Sequence, residues 1–398
     1  MIMMSYIKLL CWFSLLSLIG CDNQLSKHGL GIVNIWQRNK LLNPKMPVDG
    51  IPVFVRPDIN EHGIITFQEG FNEYDMRPIM LDKTTGQVLW SGDDQSVIDW
   101  ERGNIQKDNV LVINATHAII GLDYKTGKTL WRNERIGKDA YGPWLNSIGD
   151  YYFITNWAHI IRGRISDGHQ EVLYTVPPVN EKLEGIILPS PIPYRAANGD
   201  TMLVIQYKEY DDAAYQSKQY VALYNVSQKR QEAFHEVDHL DNGMQWGYGE
   251  YHDGYLISYY DKSLVSINPQ TGDFRWKLHI PGGIDYEPFA IEGNKLIFTT
   301  DNGWIYGLDL DTGKTLWKTE FIGGMARPFV MDGVVYVTGR AQGHLYAVDL
   351  ETGKKLLDLR CPETDQDDAV AFTMPVTGAN GVIYIDSHAS TYAYKVER

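Results

Sequence analysis

Residues 304–318 read Trp304-Ile-Tyr-Gly-Leu-Asp-Leu-Asp-Thr-Gly-Lys-Thr-Leu-Trp-Lys318, and this stretch decides the fold. Its first half alternates between two kinds of side chain, which predicts a β-strand with two distinct faces. An Asp and a Thr precede Gly313, and this trio predicts a tight turn because glycine adopts positive φ without steric cost. The chain then returns through a second short strand that ends near Trp317. So small a hairpin cannot bury both of its faces, so it must pack against further copies.

The same hairpin recurs along the chain. Copies of its Thr-Gly turn have their glycines at Gly86, Gly127, Gly272, Gly313 and Gly353. Three intervals between neighbouring copies are 41, 41 and 40 residues long. A period of about 40 residues, with about four strands per unit, is typical of a β-propeller. The tryptophans that follow these turns are expected to pack between neighbouring blades; they are Trp90, Trp131, Trp276 and Trp317.

Two weaker turns, Ser166-Asp167-Gly168 and Asn225-Val-Ser-Gln-Lys229, extend the count to seven. Residues 32–38 resemble the second half of a hairpin whose first half is missing, while the last unit ends after three strands. We therefore predict an all-β fold over residues 32–398, an eight-bladed β-propeller of four-stranded antiparallel blades, in which residues 32–38 complete the last blade. A seven-bladed ring is the alternative. The long interval between Gly168 and Gly272 predicts an insertion.

Residues 1–20 are predicted to be a signal peptide, because Lys8 precedes an apolar run too short to span a membrane comfortably. The run ends Leu18-Ile19-Gly20-Cys21, which resembles the lipobox of bacterial lipoproteins, in which the cysteine is acylated. A plain secretory signal is the alternative. Residues 21–31 would be a tether. Asp22 resembles an inner-membrane retention signal, so we expect a periplasmic protein anchored to the inner membrane, with the outer membrane as the alternative.

Composition excludes some partners. The chain has 50 acidic and 36 basic residues and a formal net charge of −14. Nucleic acid is therefore not expected as a partner, and membrane attachment would depend on the lipid. The three cysteines are Cys11 in the signal, Cys21 at the lipid site and Cys361. No disulfide is then expected within the chain, and Cys361 is either an inert buried residue or a reactive thiol.

The repeat Asp-x-x-Thr-Gly-Lys-x-Leu-Trp, clearest at residues 123–131 and 309–317, resembles that of the PQQ-like propeller superfamily. Within it, the chain is most similar to the BamB family, lipoproteins of the outer-membrane β-barrel assembly machine. The resemblance implies a scaffold without catalytic residues or cofactor. Two departures are Asp22 and the region 183–194, where a Leu-Arg pair of that family's partner loop has no match. The enzyme branch binds pyrroloquinoline quinone with Ca²⁺, often against adjacent cysteines, and this chain has no adjacent cysteines.

His235-Glu-Val-Asp-His239 matches the H-E-x-x-H pattern of zinc proteases. On a helix both histidines would share one face. The repeat instead predicts an outer strand over residues 229–236, and no third ligand follows at a familiar spacing. We therefore predict no metal site here and interpret the segment as solvated and charged.

Two longer segments, 70–76 and 207–215, fall at connections between the second and third strands of a blade. These connections lie on the face opposite the Thr-Gly turns, and both segments mix aromatic with acidic residues. The acidic inter-blade loops 91–94 and 361–368 are predicted on that face too. We predict a protein-binding site there, because tyrosine is enriched at interface hot spots and acidic groups would select a basic partner surface. Its predicted residues are Glu73, Tyr74, Asp75, Tyr210, Asp211, Asp212 and Tyr215.

The sequence therefore predicts a lipid-anchored periplasmic propeller, monomeric before binding, that acts as a protein-binding scaffold of the envelope-assembly type. One alternative is an immunity protein that neutralises a toxin delivered to the periplasm, which Asp22 and the acidic face favour. The other is a quinone-dependent dehydrogenase, which the absence of adjacent cysteines disfavours.

Overall fold

The chain folds into eight antiparallel sheets that stand as blades in a ring, so the predicted eight-bladed all-β propeller is confirmed. This computed structural model describes residues 24–25, 29–39, 58–69, 76–93, 104–115, 118–134, 145–156, 159–175, 186–187, 190–211, 216–240, 249–260, 262–321, 327–339, 343–365, 372, 376–387 and 390–397. No helix in these ranges is long and apolar enough to cross a membrane.

The strands in chain order are β1 (Gln24–Leu25), β2 (Gly31–Asn39), β3 (Asp58–Ile59), β4 (Ile64–Glu69), β5 (Met76–Leu81), β6 (Val88–Ser91), β7 (Asn104–Lys107), β8 (Val110–Asn114), β9 (Ala118–Asp123), β10 (Thr129–Glu134), β11 (Asn146–Ile148), β12 (Tyr151–Asn156), β13 (His159–Arg164), β14 (Gln170–Thr175), β15 (Ile186–Ile187), β16 (Ile192–Arg195), β17 (Thr201–Asp211), β18 (Gln216–Asn225), β19 (Arg230–Leu240), β20 (Gly249–His252), β21 (Tyr255–Tyr260), β22 (Ser263–Ile267), β23 (Phe274–His279), β24 (Ile284–Glu292), β25 (Lys295–Thr300), β26 (Trp304–Asp309), β27 (Thr315–Glu320), β28 (Phe329–Met331), β29 (Val334–Gly339), β30 (His344–Asp349), β31 (Lys355–Arg360), β32 (Thr377–Ala379), β33 (Val382–Asp386) and β34 (Ser390–Glu397). A short 3₁₀ helix spans Pro362–Asp365.

Each blade takes its strands from the axis outward. Blades 1 to 7 are β3–β6, β7–β10, β11–β14, β15–β19, β20–β23, β24–β27 and β28–β31. Blade 8 is β32–β34 with β2 as its fourth strand and β1 outside it. The inner strand of blade 4 is in two pieces, β15 and β16, which both pair with β17. Innermost strands of neighbouring blades contact each other, for example β16 with β20 and β3 with β32, which closes the ring.

The Thr-Gly turns fold as the sequence predicts. Gly313 has φ of 67°, and Oδ1 of Asp309 accepts hydrogen bonds from the backbone N (2.9 Å) and Oγ1 (2.7 Å) of Thr312. These bonds stabilise the carboxylate and lower the pKa of Asp309. The weak turn at 225–229 is similar, since Lys229 adopts φ of 52° at the position where the other turns have glycine. Strands β15–β19 around this turn form a sheet of their own, so the unit is a true blade and the seven-bladed alternative is excluded.

Each repeat tryptophan joins its own blade to the next one. Nε1 of Trp276 donates to the carbonyl of Leu310 at 2.8 Å, and its ring lies over Gly313 of that turn. Four more tryptophans do the same with the carbonyls of the following blade: Trp36 with Lys83, Trp90 with Tyr124, Trp131 with Ile165 and Trp317 with Leu350. The predicted role of the tryptophans between blades is confirmed, and Trp36 extends it to the seam where the ring closes.

A β-bulge precedes the joint residue on the outer strands. In blade 2 the register skips Leu130, between Thr129 and Trp131, and the Leu130 side chain is 49% exposed. In blade 8 it skips Ile35 in the same way. Bulges twist an edge strand, so these outer edges are poor templates for pairing with a second molecule.

The two chain ends close the ring within blade 8. Strand β2 pairs antiparallel with β34, from Gly31 opposite Glu397 to Asn39 opposite Ser390. The predicted closing strand is thus confirmed. The backbone N of Leu30 also donates to the carbonyl of Leu356 in blade 7. Two residues of the predicted tether add β1, which pairs with the start of β2.

The seams between blades change from apolar to polar toward the face opposite the Thr-Gly turns. Oγ1 of Thr66 in blade 1 donates to Oδ2 of Asp386 in blade 8 at 2.9 Å, and Oγ of Ser258 in blade 5 donates to Oε1 of Gln206 in blade 4. Six second strands have a buried polar residue at the corresponding level: Asn114, Thr155, Gln206, Thr299, Thr338 and Asp386. Polar groups therefore lie directly beneath that face.

Cys361 lies in the core between blades 7 and 8, where it is 1% exposed and belongs to the same cluster as Phe372 and Tyr392. A thiol without solvent access does not meet reagents. We expect iodoacetamide to label Cys361 only after denaturant is added, as read by peptide mass spectrometry. Rapid stoichiometric labelling of the native protein would restore the reactive-thiol alternative.

Candidate partner-binding surface

The connections between second and third strands, together with those between blades, define the loop face, opposite the Thr-Gly turns. The segment between β4 and β5 contains Glu73, Tyr74 and Asp75, and the segment between β17 and β18 contains Asp212 and Tyr215. These five residues, like Cys21, lie outside the described residues. Tyr210 and Asp211 are the last two residues of β17. The connection from β4 to β5 belongs to blade 1 and that from β17 to β18 to blade 4, so the two connections are three blades apart in the ring.

Blade 4 departs from the repeat. Its strands β17, β18 and β19 have 11, 10 and 11 residues, whereas the corresponding strands of blades 1–3 and 5–7 have six or fewer. The additional residues, 207–211, 216–220 and 236–240, form what we call the tower. Five residues of strand extend about 15 Å, so on the side of the loop face blade 4 continues beyond the level at which the strands of the other blades end. The sequence predicted residues 207–215 as an insertion at the connection between the second and third strands. The insertion lies there, but residues 207–211 belong to β17, which remains paired with β18 as far as Asp211 and Gln216.

The tower has an aromatic core on the side toward blade 3. The rings of Tyr207 and Tyr220 stack with centroids 4.8 Å apart, and Phe234 lies 5.4 Å from each. The hydroxyl of Tyr220 donates to Oε2 of Glu209 at 2.8 Å, and Glu209 is 3% exposed. Burial raises the pKa of Tyr220, so this hydroxyl keeps its proton and remains a donor. Because Tyr207 and Tyr220 belong to the same core cluster as Phe153 of blade 3, the tower is packed against its neighbour and is not an isolated hairpin.

Polar side chains occupy the side of the tower toward blade 5. Lys208 and Gln219 are direct cross-strand partners, and they are 5% and 2% exposed. Burial lowers the pKa of Lys208 to about 7. Sequence reasoning missed this pair and the aromatic core. In the sequence the apolar run of β17 ends at Gln206. Polar residues after an apolar run ordinarily indicate a loop, so the continuation of the strand gave no local signal.

The H-E-x-x-H segment lies on strand β19, as the repeat predicted. Nε2 of His235 donates to the carbonyl of Gln270 at 2.9 Å, and its ring lies against Gly272 of the next turn. His235 therefore occupies the place that tryptophan has at the five joints described above. A strand separates positions 235 and 239 by about 13 Å, so the two histidines cannot share one ion.

Two residues of the predicted acidic loops make contacts within the ring. Glu363 accepts hydrogen bonds from Gln37 (3.0 Å) and Ser390 (2.6 Å), which ties the end of blade 7 to the closing blade. Oδ1 of Asp93 accepts from the backbone N and Oγ1 of Thr129 in blade 2. These carboxylates stabilise the ring, and the tower remains the better candidate for recognition.

The enzyme branch of the superfamily binds its quinone together with a Ca²⁺ ion. Its Ca²⁺ would need clustered oxygen ligands. Within the ranges the structure describes, no three His, Cys, Asp or Glu side chains come together where they could hold a metal ion.

Comparisons with known proteins agree with this geometry. A family model described as outer membrane protein assembly factor BamB matches residues 77–171 and 260–383. The crystal structure of BamB from Moraxella catarrhalis is similar over 92% of this chain and 97% of that chain, with a TM-score of 0.59 and 15% identity. The computationally designed Ika8 protein is similar over 90% of this chain and 99% of that chain, with a TM-score of 0.60 and 13% identity.

An enzyme is also among the similar structures. Quinohemoprotein alcohol dehydrogenase ADHIIG from Pseudomonas putida HK5 is similar over 92% of this chain and 76% of that chain, with a TM-score of 0.64 and 11% identity. A search of curated proteins found no match. At such identities the structural similarity shows the fold alone, and one propeller fold hosts many functions.

Proposed function

Because the chain belongs to the family described as outer membrane protein assembly factor BamB, we propose that it is a non-catalytic scaffold that binds a protein partner in the bacterial envelope. The partner docks on the loop face, with the tower of blade 4 as the principal contact. The tip carries Tyr210 and Asp211, followed by Asp212 and Tyr215. Tyrosines at such a tip would anchor the partner, and the acidic groups would attract a basic surface and speed association.

One observation carries this proposal. The tower lies within residues 172–259, which separate the two ranges that the family model matches. The same region departs from the strand lengths of the repeat. The remaining blades follow the repeat and form the frame of the ring. The tower differs from both the repeat and the family model, so we expect the contact that is specific to this protein's partner there.

The anchor proposed for this scaffold is a lipid on Cys21, only three residues before β1. Three residues extend at most about 11 Å, so blade 8 would be held near the membrane. Asp22 favours the inner membrane, and the outer membrane is the alternative. In either case the domain is periplasmic.

The tip residues are tested by substitution. Replacing Tyr210 and Tyr215 together by alanine should weaken partner binding at least 30-fold, because even a single hot-spot tyrosine contributes about 2 kcal/mol or more. Phe274→Ala is the matched control, since this aromatic side chain is 39% exposed on the outer strand of blade 5. Affinity is measured with the partner captured from the cell envelope. Equal affinity for the double variant and the control would refute the tower as the contact.

The identity of that captured partner separates the proposed function from its alternative. Outer-membrane assembly proteins support the assembly scaffold. One basic secreted toxin, recovered from the inner-membrane fraction, instead supports an immunity protein, the function that Asp22 and the acidic sequence favour. The enzyme alternative is tested separately by quinone titration with a dye-linked activity assay, in which quinone-dependent turnover would contradict a scaffold without catalysis.

A further inference from the structure

Two buried hydrogen-bond donors in the tower have no partner. Nζ of Lys208 and Nε2 of Gln219 are each inaccessible to solvent and make no hydrogen bond. The two residues are opposite each other on β17 and β18, so their side chains leave the sheet on the same side, roughly 5 Å apart at Cβ. Both side chains therefore leave blade 4 toward blade 5, on the side where Val204 and Val221 pack against Leu256.

The surroundings supply no described counter-charge. Glu209 follows Lys208 along β17, so its side chain leaves on the opposite side of the sheet, where it accepts from Tyr220. Oε1 of Gln206, on the same side as Lys208, already accepts from Ser258. Farther along the seam the side chains are apolar, among them Val204 and Val221. On β19 the register partner of Gln219 is Asp238, whose side chain lies outside the described residues.

Leaving two such donors unsatisfied is costly. A buried donor without an acceptor loses about 1–3 kcal/mol relative to a paired one, and an ammonium group more. An acceptor with negative charge would satisfy both nitrogens at once and would compensate the ammonium group, in the manner of charge-assisted hydrogen bonds. We propose that the seam beside Lys208 and Gln219 is a binding site for one small oxyanion, either a carboxylate or a phosphate.

This site is separate from the tip of the tower. It lies on the flank of β17 and β18 toward blade 5, whereas the proposed partner contact is at Tyr210 and beyond. The bound anion would fix the tower against blade 5. Its donors are in blade 4, and they face blade 5, whose Ser258 already bonds to Gln206. The inference does not depend on which protein docks on the loop face.

The experiment is a calorimetric titration of the full chain with acetate and with inorganic phosphate, with chloride at matched ionic strength as the reference. We expect one binding site for one of the two oxyanions, which also identifies the class of the ligand. Lys208→Met should weaken this binding at least tenfold. Such a variant is expected to fold, because replacing a buried charge by an apolar side chain of similar size is often neutral or stabilising.

Lys218→Met is the matched control. Lys218 is the neighbour of Gln219 on β18, but it is 44% exposed and forms an ion pair with Glu236, on the other side of the strand. Its replacement should leave anion binding within about twofold, since exposed ion pairs contribute little. Gln219→Leu should also weaken binding, which tests the second donor independently. Absence of saturable binding to wild type, or equal binding by wild type and Lys208→Met, would overturn the proposal.

Discussion

Replacing Gly313 by alanine is expected to lower the free energy of unfolding by about 3 kcal/mol. The backbone there has φ of 67°, which costs a residue with a Cβ about 1–2 kcal/mol. The added Cβ would also lie 2.7 Å from Cδ2 of Trp276, the tryptophan that joins blade 5 to blade 6. Overpacking of this kind costs about 1–3 kcal/mol, because the indole is held by its hydrogen bond to Leu310.

Gly293→Ala separates these two costs. Gly293 is in the same blade, has φ of 56°, and would place its Cβ with nothing within 4 Å. We expect a loss of only about 1 kcal/mol, the backbone term alone. Urea denaturation gives both values, with equal dependence on urea concentration for the two variants. Equal losses of unfolding free energy at Gly313 and Gly293 would contradict the conclusion that Gly313 is needed to make room for the ring of Trp276.

The frame of the ring could be predicted because its repeat is a local signal. Asp309 and Gly313 determine the turn by their own chemistry, and the spacing of about 40 residues then counts the blades. The closing strand could be predicted because the two chain ends have complementary gaps. The turn at Lys229 is harder to predict, since lysine has no preference for positive φ. It adopts this conformation because both neighbouring strands are already paired.

The tower could not be predicted from local sequence. Lys208 and Glu209 are charged, and charged residues are ordinarily exposed, so the segment was interpreted as the start of a loop. In the structure both are buried, and β17 and β18 continue to pair beyond the level at which the strands of other blades end. His235 is a second example. Its H-E-x-x-H motif indicates a metal ligand, and only its position on the outer strand shows that it packs between blades 4 and 5. These departures have no second copy in the chain, so the repeat gives no basis from which to predict them.

Trp36→Ala is expected to open the ring at its closure. Nε1 of Trp36 donates to the carbonyl of Lys83 at 2.9 Å, and its ring lies over Gly86 of blade 1. Loss of a packed tryptophan costs about 3–5 kcal/mol. At this seam the loss falls on β2, which no turn connects to β34. Besides its pairing with β34, β2 is held by side-chain bonds such as that of Gln37 to Glu363. Native-state hydrogen exchange should therefore show faster exchange in β2 and β34 than in the other blades.

Trp317→Ala is the comparison, because Trp317 makes the same joint inside the ring, with a hydrogen bond of 3.0 Å to the carbonyl of Leu350. Its strand β27 is connected through the Thr-Gly turn to β26, so removing the indole destabilises the seam without releasing a chain end. We expect a similar loss of global stability but no selective exchange in blade 8. If both variants gave the same exchange pattern, closure by the terminal strand would be no weaker than any other seam, and the ring would open as one unit.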